Sequence, residues 1–559
     1  MSKAPDFDTI IVGSGFGGSV MAYRLAEAKQ RVCVLERGKL YGPHSFPRSP
    51  AAMRENFWDP SQGLQGMYDV WSFRDIGAVV SAGVGGGSLI YANVLLRKDE
   101  GSFVKEDLDR GGVEHWPVTR RDLDPHYDRV EAMLKPQRYP LEYPPYSSTK
   151  KTLAMQEAAK KKGMEWFLPQ LAVTFANPGQ APVPGEPIIE DAPNLHGRTR
   201  VTCTLCGECD IGCNTGSKNT LDYTYLSRAK LLGAEIRPRV EVRSFAPHEA
   251  GYVVEYVTHT DEAQGAKTDT KALPLRRLTC SRLVLAAGAL GSSYLLLKNH
   301  GAFPKINARA LGSKFSGNGD LLTLAWRSVL ADGSPRRLEA SRGPVITSTV
   351  RMPGKADGGQ GRGYYVQDAG FPELVNWAVQ ILEAPTKPTR WLKFVWQWLA
   401  LRLGWSDDTE LGAELSALLG DCTPSVNTLP FLGMGHDTPD GKMSINGDGY
   451  LEVSWRLDKQ KALFRRMRQG MAELADGMDA QFKDALTLSL HRVITVHPLG
   501  GCPMHEDGRH GVVDAFGQVH GYPGLFVADG SVMAGAVGPN PSFTIAALAD
   551  RFADRIVGA

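Results

Sequence analysis

The stretch "DTIIVGSGFGGSVMAYRLAEAKQRVCVLERG", residues 8–38, decides the fold. It opens at 9–12 with a short apolar run rich in β-branched side chains, the composition of a buried parallel strand. Gly13, Gly15 and Gly18 follow as G-x-G-x-x-G. The first glycine permits a tight turn, the second lets a pyrophosphate approach the backbone, and the third lets helix and strand pack closely. Val20, Ala22, Leu25 and Ala26 continue at helical spacing, so a bound phosphate would sit on that helix's positive N-terminus. Glu36 ends a second strand, at about the separation where an acid accepts from adenosine ribose hydroxyls. Its charge would repel a 2'-phosphate, which disfavours NADP. With strand, helix and acid in place, the turn reads as a dinucleotide site rather than an empty glycine turn. The fingerprint alone does not separate FAD from NAD.

Three other segments favour FAD. In "SAGVGGGSLIYANVLLR", Gly83, Gly85, Gly86 and Gly87 precede Ser88, exposing backbone N–H groups against which a flat cofactor can lie. A second mononucleotide loop is the alternative, but no lysine follows these glycines as a P-loop requires. Downstream, "RLVLAAGALGSSYLLLK" is a buried strand running through Ala287 and Gly288 into a helix. Finally, "GLFVADGSVMAGAVGPNPSFTIAALADRFADRI" gives a strand, Asp529, a glycine-rich passage and a closing helix. A cofactor domain built from both ends of a chain encloses a permanent flavin better than an exchangeable nicotinamide.

With 559 residues, the chain is expected to form at least two domains. Hydrophobic content of 42% and charged content of 22% are those of an ordinary soluble globular protein. A formal charge of +2 argues against nucleic-acid binding, which needs a clustered basic surface. The opening "MSKAPDFDTIIVG" runs almost directly into a strand, so no cleaved signal peptide is expected. No uninterrupted apolar stretch reaches the roughly 20 residues needed to cross a bilayer. Cys33, Cys280, Cys422 and Cys502 are scattered, which speaks against a disulfide framework and for a cytoplasmic setting.

Taken together, "IIVGSGFGGSV" with Glu36, "GVGGGSL", "LVLAAGALGS", "HPLGGC" and "VADGSVMAGAVGPNPSFTIAALADR" resemble the glucose–methanol–choline (GMC) family of FAD-dependent oxidoreductases, in its cholesterol-oxidase branch. The resemblance runs nearly end to end. It implies an α/β fold: a Rossmann-like FAD-binding domain, with a discontinuous α+β substrate domain of sheet and helices roofing the flavin. The expected cofactor segments are 1–45, 77–100, 223–300 and 491–559; the roof takes 46–76, 101–222 and 301–490, with a Cys-rich loop at 203–213. Carried over residue by residue, the FAD contacts implied are Gly13, Gly15, Phe16, Gly18, Glu36, Gly83, Gly85, Gly86, Gly87, Ser88, Asn93, Val242, Ala287, Gly288, Asp529, Gly530, Asn540 and Pro541. His497 and Asn540 are implied to face the substrate hydroxyl.

Alcohol oxidation needs those two residue types. A histidine, titrating near neutrality, can position the hydroxyl or accept its proton. An asparagine amide can orient substrate or stabilise charge developing on oxygen and flavin. One departure stands out. Cholesterol oxidases carry a substrate-side glutamate, and in "YYVQDAGFPELVNW" that position falls on Gln367, with Asp368 beside it. A neutral amide cannot act as a base, so either His497 handles the proton alone or Asp368 takes part. The double-bond isomerisation typical of sterol oxidation is therefore in doubt.

The segment "TKPTRWLKFVWQWLALRLGW", residues 386–405, interleaves over 387–405 Trp391, Trp396, Trp398 and Trp405 with basic side chains. A basic, aromatic-rich helix of this kind either lies in a bilayer interface as a peripheral contact or packs on the roof as a substrate lid. Both readings put a large apolar surface near the substrate entrance.

Half of the chain's eight cysteines stand in "CTLCGECDIGC": Cys203, Cys206, Cys209 and Cys213. Their spacing is the run bacterial ferredoxins use for an iron–sulfur cluster, [4Fe–4S] or, with one thiol left free, [3Fe–4S]. The following "NTGSKNTLDYTYLSRAK" resembles the segment after the last cluster cysteine in FAD glucose dehydrogenases of the same family. Against this, "GCNTG" replaces the Cys-Pro of ferredoxins. A cofactor-free thiol loop, zinc or disulfides are the other readings.

The leading expectation is an FAD alcohol dehydrogenase or oxidase for a bulky hydrophobic secondary alcohol, sterol-like favoured, transferring hydride to flavin N5. Electrons would then leave to a quinone, cytochrome or oxygen. The alternatives are an enzyme for long-chain or aryl primary alcohols, and a flavin and iron–sulfur electron carrier without a substrate of its own. His497 and Asn540 together argue against the carrier, which needs neither.

Overall fold

Strand Phe7–Val12 lies inside a seven-stranded sheet, pairing in parallel with Val32–Leu35 on one side and Arg276–Leu285 on the other. Ile10 stands opposite both Cys33 and Leu283, and all three are fully buried. Glu235–Arg237 adds a further parallel strand beside Val32–Leu35. On the other side, Arg276–Leu285 divides its pairing. Its first half pairs antiparallel with Gly251–Thr258, which pairs antiparallel with Val240–His248; its last residues pair in parallel with Leu525–Val527. The start and the end of the chain therefore meet in one sheet. The computed structural model describes residues 4–49, 52–106, 113–249, 251–355, 359, 361–372, 396, 399, 423–484 and 493–558.

Helix Phe16–Glu27 follows the first strand and packs against the closing helix Ser542–Val557. Helix Arg120–Leu134 packs on that closing helix in turn, burying Leu123, Tyr127, Val130 and Leu134 in the same core. Its segment, 101–222, was expected in the roof; the apolar face of this one helix instead joins the cofactor layer. At the turn, Gly13 has φ +98°, and a Cβ there would lie 2.4 Å from the Ala286 carbonyl oxygen. A Cβ on Gly18 would lie 2.1 Å from the Gly13 carbonyl oxygen. Both positions need glycine for steric reasons, as the fingerprint requires.

The second layer is a six-stranded, wholly antiparallel sheet, in the order Glu165–Phe167, Thr349–Met352, Tyr364–Asp368, Leu429–Gly435, Leu321–Trp326 and Gln481–Asp484. Helix Lys461–Gly477 covers it with Leu463, Phe464, Met467, Met471 and Leu474, an apolar stripe at helical spacing. A small third sheet, with Ile76–Ser81 between Tyr68–Ser72 and Val493–Thr495, delivers the chain to His497. The architecture is a Rossmann-like layer with a discontinuous sheet-and-helix layer beside it.

Among the described residues no helix is long and apolar enough to cross a membrane. The interfacial segment 387–405 lies outside the described residues, apart from Trp396 and Leu399, which are both exposed.

Candidate active site and cofactor cavity

A cavity of about 830 Å³ opens where the glycine turn, the closing segment and the roof sheet converge. Of the residues expected to hold the cofactor, Gly13, Gly15, Phe16, Glu36, Gly86, Gly87, Val242, Ala287, Gly288, Asp529, Gly530, Asn540 and Pro541 line it. Gly18, Gly83, Gly85, Ser88 and Asn93 do not. Ser88 accepts from Leu221 N and donates to the Gly85 carbonyl.

The lining fits an elongated dinucleotide. Gly15, Gly87 and Gly288 face it, and a Cβ on any of them would meet nothing within 4 Å, so bare backbone borders open space. Helix Phe16–Glu27 has neither a side-chain cap nor an acidic residue in its first turn, leaving its N–H groups and dipole to an anion. The volume lies in the upper part of the roughly 300–1,000 Å³ range of small-molecule sites.

Two buried carboxylates brace this cradle. Glu36 accepts from Ser14 N at 3.0 Å, Ser14 Oγ at 2.7 Å, Gly38 N at 2.9 Å and Gly83 N at 3.3 Å. It thereby ties together three segments of backbone that border the cavity. Asp529 accepts from Gly288 N at 2.9 Å, Ser292 Oγ at 2.5 Å, Ser531 N at 2.8 Å and Ser531 Oγ at 2.6 Å. Burial pushes the Asp529 carboxyl above its usual range.

His497 and Asn540 both line this cavity. His497 Nδ1 stands 2.8 Å from Asp320 Oδ1, and Asp320 is almost wholly buried. Asn540 Oδ1 accepts from Gln367 Nε2 at 2.9 Å. Gln367 is fully buried behind Asn540 and also donates to Thr349 Oγ1 at 3.3 Å. Asp368 is turned away. Successive residues of a strand face opposite sides, so when Gln367 points to Asn540 its neighbour cannot. The Asp368 carboxylate instead accepts from Thr347 N at 2.9 Å, Ser348 N at 2.7 Å and the Thr347 hydroxyl, with Lys151 Nζ at 3.8 Å. It does not line the cavity; it holds the backbone next to Val345 and Ile346, which do line it.

Among the residues at the cavity that sequence reasoning missed are Asp320, Tyr91 and Asp210. Nothing local marks Asp320. Tyr91 and Asp210 stand inside motifs that were recognised, but only the folded chain turns them to the cavity. Burial pushes the Asp210 carboxyl up to about 6, and its Oδ1 has no protein partner.

Cys203, Cys206, Cys209 and Cys213 line one small pocket together with Ser217, Lys218, Gly343 and Pro344, and all four are free thiols. Burial works against the Cys213 thiolate, but the hydroxyls of Ser217 and Thr215, each 3.3 Å from Sγ, outweigh it and hold the thiol below its ordinary range. The close-set groups of metal-type ligands among the described residues are His505, Asp507, His510 and His126, Asp550, Asp554; neither includes a cysteine. The four sulfurs are thus not drawn into a zinc-sized tetrahedron, in which neighbours would stand roughly 4 Å apart.

This pocket and the large cavity share a wall. Asp210 lines the large cavity and its neighbour Cys209 the small one. Buried Lys218 donates to the Cys209 carbonyl at 2.6 Å and the Leu89 carbonyl at 3.0 Å, and its ammonium lies 4.8 Å over the ring of Tyr91.

A Rossmann-like cradle shares this cavity with His497 and Asn540, the arrangement expected of a flavin-dependent oxidoreductase. Comparison with known proteins carries this further. The family model described as GMC oxidoreductase matches residues 437–549, and that of an NAD(P)-binding Rossmann-like domain matches 11–58. A cholesterol oxidase of Mycobacterium tuberculosis is 28% identical over 98% of this chain and 91% of its own length. Another, from Acinetobacter baumannii, is 28% identical over 98% and 93%. The crystal structure of pyridoxine 4-oxidase from Mesorbium loti shares the fold, with a TM-score of 0.58 at 17% identity, covering 99% of both chains. Residues 437–549 thus match the GMC oxidoreductases, and the chain is similar to cholesterol oxidases along nearly its whole length.

Proposed function

We propose that this protein oxidises a bulky apolar alcohol, with a sterol-like secondary alcohol favoured, to the corresponding carbonyl compound. The observation that carries the reading is the pair His497 and Asn540, each pinned by a buried partner and both lining the dinucleotide cavity. When bound, FAD supplies the hydride acceptor at flavin N5. The glycine cradle and helix N-terminus hold its phosphates, while His497 takes the hydroxyl proton and Asn540 orients the oxygen.

The character of the wall supports the substrate class. Leu322, Ile494 and Val496 line the cavity while remaining 47%, 46% and 47% exposed, and Trp71 and Val80 stand in the same lining. Apolar side chains left open at a cavity suit an apolar substrate better than a sugar. The two relatives named as cholesterol oxidases point the same way. With Gln367 neutral and Asp368 turned away, double-bond isomerisation is not part of the proposal. Peripheral membrane contact through 387–405 and the division into cofactor and roof segments enter it on the sequence alone.

Cys203, Cys206, Cys209 and Cys213 are the residues that would hold an iron–sulfur cluster, which supplies one-electron transfer. What favours this reading is the wall shared by their pocket and the cavity, through Asp210, Lys218 and Tyr91. A quinone or cytochrome is then the expected acceptor, and oxygen if the loop holds no cluster.

The test is an anaerobic panel of sterols, long-chain and aryl alcohols, watched for bleaching of the flavin band. Bleaching by apolar secondary alcohols supports the reading. Bleaching by primary alcohols alone shifts it to the long-chain or aryl class. Chemical reduction without reduction by any alcohol would leave an electron carrier.

A further inference from the structure

Residues 316–320 form one loop that touches His497 and the turn leading into Asn540. The Asn318 side chain accepts from Val537 N at 2.9 Å and Gly538 N at 3.0 Å, and donates to the Pro539 carbonyl at 3.1 Å. It thus grips the turn that ends in Asn540. Asp320, two residues on, grips His497. The loop is itself held by Asp437, which accepts from Ser316 Oγ at 2.5 Å, Gly317 N at 2.9 Å and Gly319 N at 3.1 Å.

We infer that Asp320 is a positioning residue that keeps the proton of His497 on Nδ1, leaving Nε2 as the acceptor presented to the cavity. The argument rests on which groups surround the Asp320 carboxylate. Its Oδ2 accepts from Val496 N at 2.8 Å, Thr495 Oγ1 at 2.8 Å and His497 N at 3.2 Å. Peptide N–H groups only donate, so Oδ2 must remain an acceptor. The other oxygen, Oδ1, faces Nδ1 at 2.8 Å, and an ionised carboxylate oxygen is an acceptor only. The neutral ring must therefore place its single proton on Nδ1. Nε2, for which the described residues supply no partner, is left with its lone pair toward the cavity that His497 lines. The alcohol O–H would donate to that lone pair and its proton would pass to Nε2, while FAD held by the glycine cradle would supply the acceptor for the carbinol hydride. The imidazolium so formed lies against the Asp320 carboxylate. This role rests on the proposed alcohol oxidation; the tautomer itself does not.

Asp320→Asn separates this role from simple packing, because the shape is kept and one donor direction is reversed. The three donors at Oδ2 fix the amide oxygen there, so the amide nitrogen faces Nδ1 and donates to it. The ring then has to carry its proton on Nε2 and can no longer accept from an alcohol. With FAD content unchanged, anaerobic flavin reduction by an alcohol that bleaches the wild type should slow by roughly a hundredfold or more, with little change in the half-saturating concentration. The second readout is nitrogen NMR of the histidine-labelled holoenzyme at alkaline pH, with His497 identified by loss of its signals in His497→Gln. The wild type should show Nδ1 protonated and Nε2 bare, and Asp320→Asn the reverse. A wild-type ring with a proton on Nε2, neutral or cationic, overturns the inference whether or not the variant folds. So does an Asp320→Asn enzyme that keeps Nδ1 protonated or reduces its flavin within about threefold of the wild-type rate. If no alcohol reduces the wild-type flavin, the proposed function fails, and the tautomer measurement still decides the role of Asp320.

Discussion

Gln367 in the roof sheet and Asn540 in the closing segment hold each other's amides: Gln367 Nε2 donates to Asn540 Oδ1 at 2.9 Å, and Asn540 Nδ2 lies 3.4 Å from Gln367 Oε1. The residue expected to stand at the glutamate position of cholesterol oxidases thus holds the Asn540 amide in place. His497→Ala and Asn540→Ala are each expected to keep FAD and lose most flavin reduction by alcohol. Gln367→Ala should cost less than either, about tenfold, because Asn540 stays in place with one orienting bond gone. Anaerobic stopped-flow reduction checks the order. A Gln367→Ala enzyme as slow as His497→Ala would mean that the division of roles is wrong.

Glu36→Gln should damage the cradle although it keeps the side chain's shape. The carboxylate receives Ser14 N and Ser14 Oγ on one oxygen and Gly38 N and Gly83 N on the other. An amide nitrogen must face one of these donor pairs, at a cost of roughly 1–3 kcal/mol for the unsatisfied donors. Lower FAD content after purification and a reduced melting temperature are the expected results. Unchanged FAD content and melting temperature would show that the carboxylate is not bracing these segments.

Gly13→Ala and Gly15→Ala should fail differently. At Gly13 an added Cβ meets the Ala286 carbonyl oxygen at 2.4 Å with φ at +98°, so the variant is expected to fold poorly. At Gly15 the added Cβ meets nothing within 4 Å and projects into the space meant for the cofactor. That variant should fold and bind FAD at least about tenfold more weakly, near 1.4 kcal/mol. Circular dichroism and FAD titration of the two proteins separate the cases.

Protein purified without oxygen is expected to carry iron and inorganic sulfide at the cysteine loop. Cys206→Ser or Cys209→Ser should weaken or remove the cluster, since thiolate ligation holds it. Alcohol should still reduce the flavin in a single turnover, because that depends on His497 and Asn540. Steady turnover with a one-electron acceptor should fall. Metal analysis finding neither iron nor sulfide, with four thiols titrating, would make the loop structural and oxygen the preferred acceptor.

The cofactor half of this protein was legible in its sequence because its physics is local. A strand, a turn that needs φ above zero at Gly13 and a helix whose N-terminus lacks a side-chain cap are properties of neighbouring residues. The segments around Ala287 and Asp529 could likewise be read as strands ending in glycine-rich turns, and both line the cavity. The cysteine run was visible for the same reason.

Tertiary structure decided what those local elements face. His497 and Asp320 are 177 residues apart, Gln367 and Asn540 are 173 apart, and Lys218 reaches Leu89 across 129. Each contact depends on the register and tilt of sheets assembled from distant strands, which no short window of sequence contains. Asp368 shows the point most sharply. Beside Gln367 it was the carboxylate that could take part in proton handling, but the alternation of a strand sends adjacent side chains to opposite faces. Which face meets the cavity was settled only when Tyr364–Asp368 paired between Thr349–Met352 and Leu429–Gly435, placing Gln367 against Asn540 and Asp368 against Thr347 and Ser348.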